Sequence, residues 1–374
     1  MKILYLTTVG STMNFFRHYI KMLIEGGHTV DIATNEDIAP VPQYYAEWGC
    51  KIYCISCSRT PLQKGNLKAI SQIRKLVFEG NYDIVHCHTP VAAMCTRIAC
   101  RKIRKSGIKV IYTAHGFHFY KGAPLKNWLL YFSVEWFCSF WTDVLITINK
   151  EDFKRAQKYM HARHIQYVPG VGIDVSRFYN AEIDNREKRR FELGVPNNGH
   201  LLLSVGELNE NKNHQVVIEA LKKINNSTIH YAIAGKGKLY VFLQTLVKSL
   251  GLEKQVHLLG YCDDMTTLYK LADAYVLPSF REGLNVSMIE AMASGIPILC
   301  SDIRGNSDII DCDQLGFLCN PSDSDDVAEG LKKVIFAADV LDKNAGKKKI
   351  IEYDVKTINN KMMEIYETVC EGAK

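Results

Sequence analysis

The chain has 374 residues, 47% of them hydrophobic and 23% charged. Those proportions suit a globular protein of two or three domains and exclude disorder, collagen and coiled coil as the main architecture. The net charge of +6 is uneven, because Met1–Gly170 holds 22 Lys and Arg against 11 Asp and Glu while the remainder holds 24 against 29.

No apolar run reaches the length of about twenty residues that a spanning helix needs. The opening Met1–Leu6 reads as a first strand and not as a signal peptide. A basic first half suits an anionic partner, such as membrane lipid, a phosphorylated acceptor or nucleic acid. The twelve cysteines include one CxxC, Cys54 to Cys57, with no His pair at finger spacing, so they read as reduced thiols of a cytosolic protein.

In chain order, strand-like runs occupy Ile3–Thr7, Thr29–Thr34, Lys51–Ser56, Asp83–His88, Lys109–Ala114 and Val144–Ile148. Helix-like runs fall between them at Asn14–Glu25, Leu67–Glu79, Ala92–Arg104, Leu125–Trp141 and Glu151–Met160. Such alternation specifies a parallel sheet covered by helices, with ligands at the carboxyl ends of strands. The loop Thr7–Ser11, with Gly10, is therefore a candidate binding loop. The basic cluster Arg97, Arg101, Lys102, Arg104 and Lys105 reads either as a solvated helix end or as an acceptor-side patch. The aromatic segment Trp128–Trp141 reads first as a buried helix, and second as a membrane-interface element.

Val168–Gly172 and the charged Asn185–Arg190 read as a connection between domains. A second alternating set follows. Its strands are Leu201–Val205, Ile229–Ala234, Val256–Leu259, Ala274–Pro278 and Ile296–Ser301. Its helices are Gln215–Lys223, Val241–Leu250, Met265–Leu271, Val286–Ala293 and Asp325–Phe336. The expected architecture is α/β, with two doubly wound Rossmann-like domains, residues 1–170 and 171–374, facing across a cleft. A final amphipathic helix, about 357–370, could pack back on the first domain.

The most informative segment is Ser279–Pro297, which runs from a strand end through a turn into a helix. The helix N-terminus near Asn285 offers free amides and a positive dipole end, a natural phosphate site. Glu282 in the turn and Glu290 in the helix would flank a ligand bound there, and carboxylates suit sugar hydroxyls because they accept paired O–H bonds.

This segment resembles the signature of retaining glycosyltransferase family four, which has the GT-B fold. Ser204–His214 is similar to the family's donor-phosphate loop, with Lys212 at the diphosphate lysine and Glu207 where many members carry Arg. Arg281 is a candidate substitute cation. Ala234–Leu239, with Gly235 and Gly237, resembles the loop beside the nucleotide base. Tyr112–Phe119 resembles the strand end facing the reacting sugar. His115 matches the family histidine there, while His118 and His88 are acceptor-side candidates together with Arg97 and Arg101.

The resemblance implies donor binding by Gly10, Glu207, Lys212, Gly235, Gly237, Arg281, Gly283, Leu284, Asn285, Val286 and Glu290. It implies catalytic roles for Glu282, His115 and Lys212. Glu290 would take the ribose, Glu282 the donor sugar, and Lys212 with the amides of Gly283–Val286 the diphosphate. It further implies metal-free, retaining front-face transfer from a UDP-linked sugar. The acceptor would be a polyprenyl-diphosphate-linked saccharide at the inner face of the cell membrane, in surface polysaccharide synthesis, with no nucleic acid partner and no cofactor. The alternatives are a non-hydrolysing sugar-nucleotide epimerase, a non-catalytic assembly scaffold and a nicotinamide oxidoreductase, the last opposed by Thr7–Thr12 standing where GxGxxG would follow the first strand. Asp323-Ser324-Asp325 spells the metal motif of a different glycosyltransferase fold but reads as a helix cap.

Overall fold

The computed structural model describes residues 1–336 and 342–371. It divides into two compact units, Met1–Gly172 with Val355–Lys374, and Ile173–Asp354. The range 171–374 expected for the second domain therefore ends at Asp354, because the last helix belongs to the first unit.

In the first unit, β1 (Lys2–Val9), β2 (Thr29–Asn35), β3 (Ile52–Cys54), β4 (Ile84–His88), β5 (Lys109–Ala114), β6 (Val144–Thr147) and β7 (His164–Tyr167) form one sheet. Its order is β3-β2-β1-β4-β5-β6-β7, and every pairing is parallel. Side chains alternate between faces, and both faces are buried, as parallel sheets require. Leu4, Leu6, Val85 and Cys87 pack in one core with residues of the helices Gly65–Gly80 and Pro90–Cys100. Ile3, Tyr5 and Ile84 pack in the other with the helix Arg17–Glu25 and the final helix Val355–Glu371. That final helix presents Ile358, Met362, Tyr366 and Val369 at intervals of three and four, one apolar stripe.

In the second unit, β8 (His200–Val205), β9 (Ile229–Ala234), β10 (Val256–Gly260), β11 (Ala274–Leu277), β12 (Ile298–Ser301) and β13 (Phe317–Cys319) form a parallel sheet of order β10-β9-β8-β11-β12-β13. Two cores cover its faces. The edge strands β7 and β13 are absent from the sequence expectation, being three or four residues long and partly exposed.

Two other expectations are corrected. Asn185–Arg190 is not a linker. It lies at the helix Arg186–Glu192, where Arg186 and Arg190, one turn apart, both donate to Asp273 at 2.7 and 2.8 Å. The segment Leu125–Trp141 is not one buried helix. It has short helical ends around a widened π-helical turn, Trp128–Phe132, and leaves Leu125, Leu129, Phe137 and Phe140 exposed. The Asp323 side chain does cap the helix Ser324–Ile335, accepting from the amides of Asp325 and Asp326.

Candidate active site

β8 and β11 are neighbours, but the strands beyond them run outward in opposite directions. The crevice at the carboxyl ends of such a pair is where open α/β sheets bind ligands. The loops leaving the two strands are tied together there. Phe280 N–H donates to Asn211 O at 2.9 Å, Asn211 Nδ2 to Arg281 O at 2.9 Å, and Asn213 Nδ2 to Pro278 O at 3.2 Å. The loop after β9 joins them through Leu208 N–H to Lys236 O and Leu239 N–H to Leu208 O, each 3.0 Å. A Cβ on Gly235 would stand 1.9 Å from Gly206 O, and one on Gly237 2.4 Å from Leu208 O. Only glycine lets these backbones approach so closely.

On this bed Lys212 Nζ donates to Glu282 Oε1 at 2.7 Å, with side chains 17% and 11% exposed. The Lys212 stem lies over Gly206, where a Cβ would meet its Cε at 3.1 Å. Its amide donates to Asn209 Oδ1 at 3.0 Å. Beside the pair begins the helix Val286–Ala293. Asn285 caps it, accepting from Met288 N–H at 3.1 Å and Ser287 Oγ at 2.6 Å. The first-turn amides have no carbonyl acceptor within their helix and form a small positive cradle. One turn into the helix, Glu290 Oε2 accepts from Tyr269 Oη at 2.8 Å. Burial raises the Glu290 pKa, and the Tyr269 bond pulls it back. Gly283, Leu284 and Val286 are partly exposed at the turn, and Glu207 and Arg281 are exposed. Glu207 accepts from Asn209 Nδ2 at 3.0 Å. The arrangement offers a cation, amides and two carboxylates at one crevice, a set that fits a diphosphate flanked by polyols.

The first unit has its own reversal point, between β1 and β4. Thr8 N–H and Thr8 Oγ1 contact Thr89 Oγ1 at 3.0 and 2.7 Å, joining the two loops. Thr89 has φ of +62°, a strained value for a β-branched residue and one that marks functional edges. Three histidines gather nearby. His86 bonds Tyr366 Oη at 2.5 Å and Thr113 Oγ1 at 2.8 Å, while His88 Nδ1 stands 3.1 Å from His115 Nε2. Burial lowers all three, His86 to about 3 and His115 to about 4, so they are neutral at pH 7.

The family profile for glycosyl transferases group 1 matches residues 185–348, and that for the glycosyl transferase 4-like domain matches residues 2–149. The putative glycosyltransferase EpsD of Bacillus subtilis is 35% identical over 98% of this chain and 96% of its own. The chain belongs to the group 1, family-four-like glycosyltransferases. Another relative, the Escherichia coli UDP-Gal:alpha-D-GlcNAc-diphosphoundecaprenol alpha-1,3-galactosyltransferase, is 29% identical over 80% of this chain and 79% of its own. Among solved structures, Anabaena HepE in complex with UDP-glucose superposes with a TM-score of 0.80 at 19% identity, covering 98% of this chain and 100% of that one. The fold is GT-B.

Several residues singled out from sequence sit elsewhere in this glycosyltransferase. Gly10 is buried, its amide donates to Ala39 O, and a Cβ would stand 2.5 Å from the 39–41 backbone, so it packs a loop and leaves no amide for a ligand. Arg97 is not on the acceptor side. It is buried, ion-paired to Glu135 at 2.8 Å and stacked on Tyr112. Arg101 is exposed over Trp141, and it lies about 16 Å along its helix from the binding edge at 1.5 Å per residue. His118 stacks on Tyr131 at 4.5 Å. Sequence reasoning missed Tyr269, Asn209 and Asn211, which hold the chemistry-bearing groups but read as ordinary core or loop residues. Among the described residues no group of three or more His, Cys, Asp or Glu is gathered for a metal.

Proposed function

We propose that this enzyme transfers a sugar from a UDP-linked donor to a polyprenyl-diphosphate-linked saccharide, with retention and without a metal, in surface polysaccharide synthesis. The observation that carries the reading is the Lys212–Glu282 pair beside the capped start of Val286–Ala293, with Glu290 held by Tyr269 one turn further on. Each partner of the pair is mostly buried, so each compensates the other's charge. A donor replaces both contacts at once: phosphate oxygens take Lys212 Nζ, and sugar hydroxyls donate to Glu282. Glu290 Oε1 is left to accept from ribose hydroxyls while Tyr269 holds Oε2.

In the transfer, the bond from the anomeric carbon to the diphosphate oxygen breaks. A bond from the acceptor hydroxyl oxygen forms on the same face, and the hydroxyl proton passes to the departing phosphate. Lys212 and the amides of Gly283–Val286 meet the charge growing on that diphosphate, fixed dipoles acting where charge develops. His115, at the first unit's strand edge, is the residue that the family resemblance assigns to the transferred sugar. The relatives named for a UDP-Gal donor and an undecaprenol-linked acceptor, and the HepE complex with UDP-glucose, support the choice of substrates. Exposed Leu125, Leu129, Phe137 and Phe140 beside Lys121 and Lys126 support peripheral contact with the cytoplasmic face of an anionic membrane. No described helix is long and apolar enough to cross one.

The test is thermal stabilisation by UDP-, GDP- and ADP-sugars with and without EDTA, followed by transfer to a polyprenyl-diphosphate-linked saccharide with the product anomer read by NMR. EDTA-insensitive stabilisation by a UDP-sugar and a retained anomer are expected. Stabilisation that EDTA abolishes, an inverted product, or no shift with any nucleotide at millimolar concentration would overturn the corresponding part. Lys212→Met and Glu282→Gln should each lower transfer about tenfold to a hundredfold, since a hydrogen bond to a charged group contributes about 1.5–3 kcal/mol.

A further inference from the structure

The His88 ring is boxed by aromatic neighbours. Tyr5 stacks on it at 5.3 Å, and Phe16 and His86 lie 4.2 Å away, centroid to centroid. One of its nitrogens, Nδ1, faces His115 Nε2 at 3.1 Å. The other, Nε2, is buried and has no hydrogen-bond partner among the described residues. His86 is no help to it, because both His86 nitrogens are engaged by Tyr366 and Thr113. Each ring carries one proton, so the His88–His115 contact has two possible arrangements. If His115 Nε2–H donates, the His88 proton must sit on Nε2, an N–H buried among rings with no acceptor. If His88 Nδ1–H donates, Nε2 is only a bare lone pair. Orphaned buried donors are rarer than orphaned acceptors, and an unsatisfied buried donor is costly. The second arrangement wins. It leaves His115 with its proton on Nδ1, at a ring that is partly exposed and makes no other hydrogen bond among the described residues.

We propose that His88 is a positioning residue that fixes His115 in the Nδ1–H form, so that His115 meets a sugar oxygen as a hydrogen-bond donor and not as a proton acceptor. The second half rests on the reading of His115 as a ligand contact; the first half does not. Depressed basicity of both rings keeps the arrangement unchanged near neutral pH. Thr89, next to His88 in the chain and strained at φ of +62°, anchors the same strand end to Thr8.

The deciding experiment is ring nitrogen NMR on the intact protein labelled with 15N-histidine, His115 being assigned from the His115→Asn spectrum. A protonated Nδ1 and a bare Nε2 on His115, unchanged between neutral and mildly alkaline pH, are expected. A protonated Nε2 would overturn the proposal without reference to activity or to any variant's folding. Kinetics carry the second half. The Asn amide nitrogen overlays Nδ1 and the Gln nitrogen overlays Nε2, so His115→Asn should keep several-fold more kcat/KM than His115→Gln, and His88→Asn should recover most of the activity that His88→Phe loses. Equal activities together with the expected NMR pattern would uphold the fixing by His88 and remove His115 from the reaction. A reversed order would overturn the donor role.

Discussion

Tyr269→Phe deletes one oxygen from a fully buried ring and leaves its shape, so it removes the contacts of that hydroxyl and nothing else. The lost hydroxyl donates to Glu290 Oε2 at 2.8 Å and Ser287 O at 3.0 Å. A hydrogen bond to a charged acceptor contributes about 1.5–3 kcal/mol, a tenfold to hundredfold effect when the carboxylate must be ionised and oriented to hold ribose. The sign follows from the opposing influences on Glu290. Burial raises its pKa, while the Tyr269 bond and, less strongly, the Arg177 charge lower it, so the variant removes the larger of the two lowering influences and the pKa rises. The carboxylate then protonates at higher pH. The assay is donor kcat/KM across pH 4.5–8.5. The expected result is a loss of about tenfold or more at pH 7, with the acid limb displaced to higher pH. Tyr275→Phe is the control, because its hydroxyl bonds Ser287 Oγ and not Glu290. An acid limb that stays in place in Tyr269→Phe would refute the assignment of that limb to Glu290. An unchanged kcat/KM would remove Glu290 from donor binding.

Gly235→Ala drives a methyl to 1.9 Å from Gly206 O and should weaken UDP-sugar binding more than tenfold by calorimetric titration. Gly346→Ala, with nothing within 4 Å of the new Cβ, should raise stability by about 0.5–1 kcal/mol. Arg97→Met strands Glu135 in the core and should destabilise the protein in urea by about 3–5 kcal/mol, with kcat per folded molecule unchanged. Acid should weaken the first unit. His86, His88 and His115 stay neutral when folded but protonate near pH 6.5 when unfolded. Stability from them is complete above about 6.5 and falls toward pH 4, each adding up to about 1.4 kcal/mol per pH unit. Urea midpoints flat between pH 4.5 and 6.5 would contradict this.

The two buried sheets and the donor-side crevice are legible in the sequence because they depend on local features. Strands buried on both faces write continuous apolar runs, and the strand–turn–helix with Glu282 and Glu290 fixes both carboxylates within one short segment. Strand order is not local. The reversal points between β1 and β4 and between β8 and β11 follow from the packing of crossovers, and no residue announces them. The same limit explains Arg97. In sequence it heads a basic cluster, but its helix turns it inward onto Glu135, while Arg101, one turn on, lies past the helix end. Tyr269 was invisible for the opposite reason. Apart from its hydroxyl it is a core residue, and only the fold shows that the hydroxyl reaches Glu290. Leu125 and Leu129 mislead likewise, since an apolar run reads as buried until the widened turn shows which side chains face out.

The first unit is discontinuous in the chain. Its sheet is complete by Tyr167, yet its final helix arrives only after the whole of Ile173–Asp354 has been made. Until then Tyr5, Ile84 and His86 lack the stripe of Ile358, Met362 and Tyr366 that covers them. The second unit has no such dependence, being one unbroken stretch. On the ribosome the order of completion is therefore inverted: the stretch synthesised first is finished last. A nascent chain halted before Val355 would carry an open apolar groove on its first unit, a natural surface for a chaperone to hold.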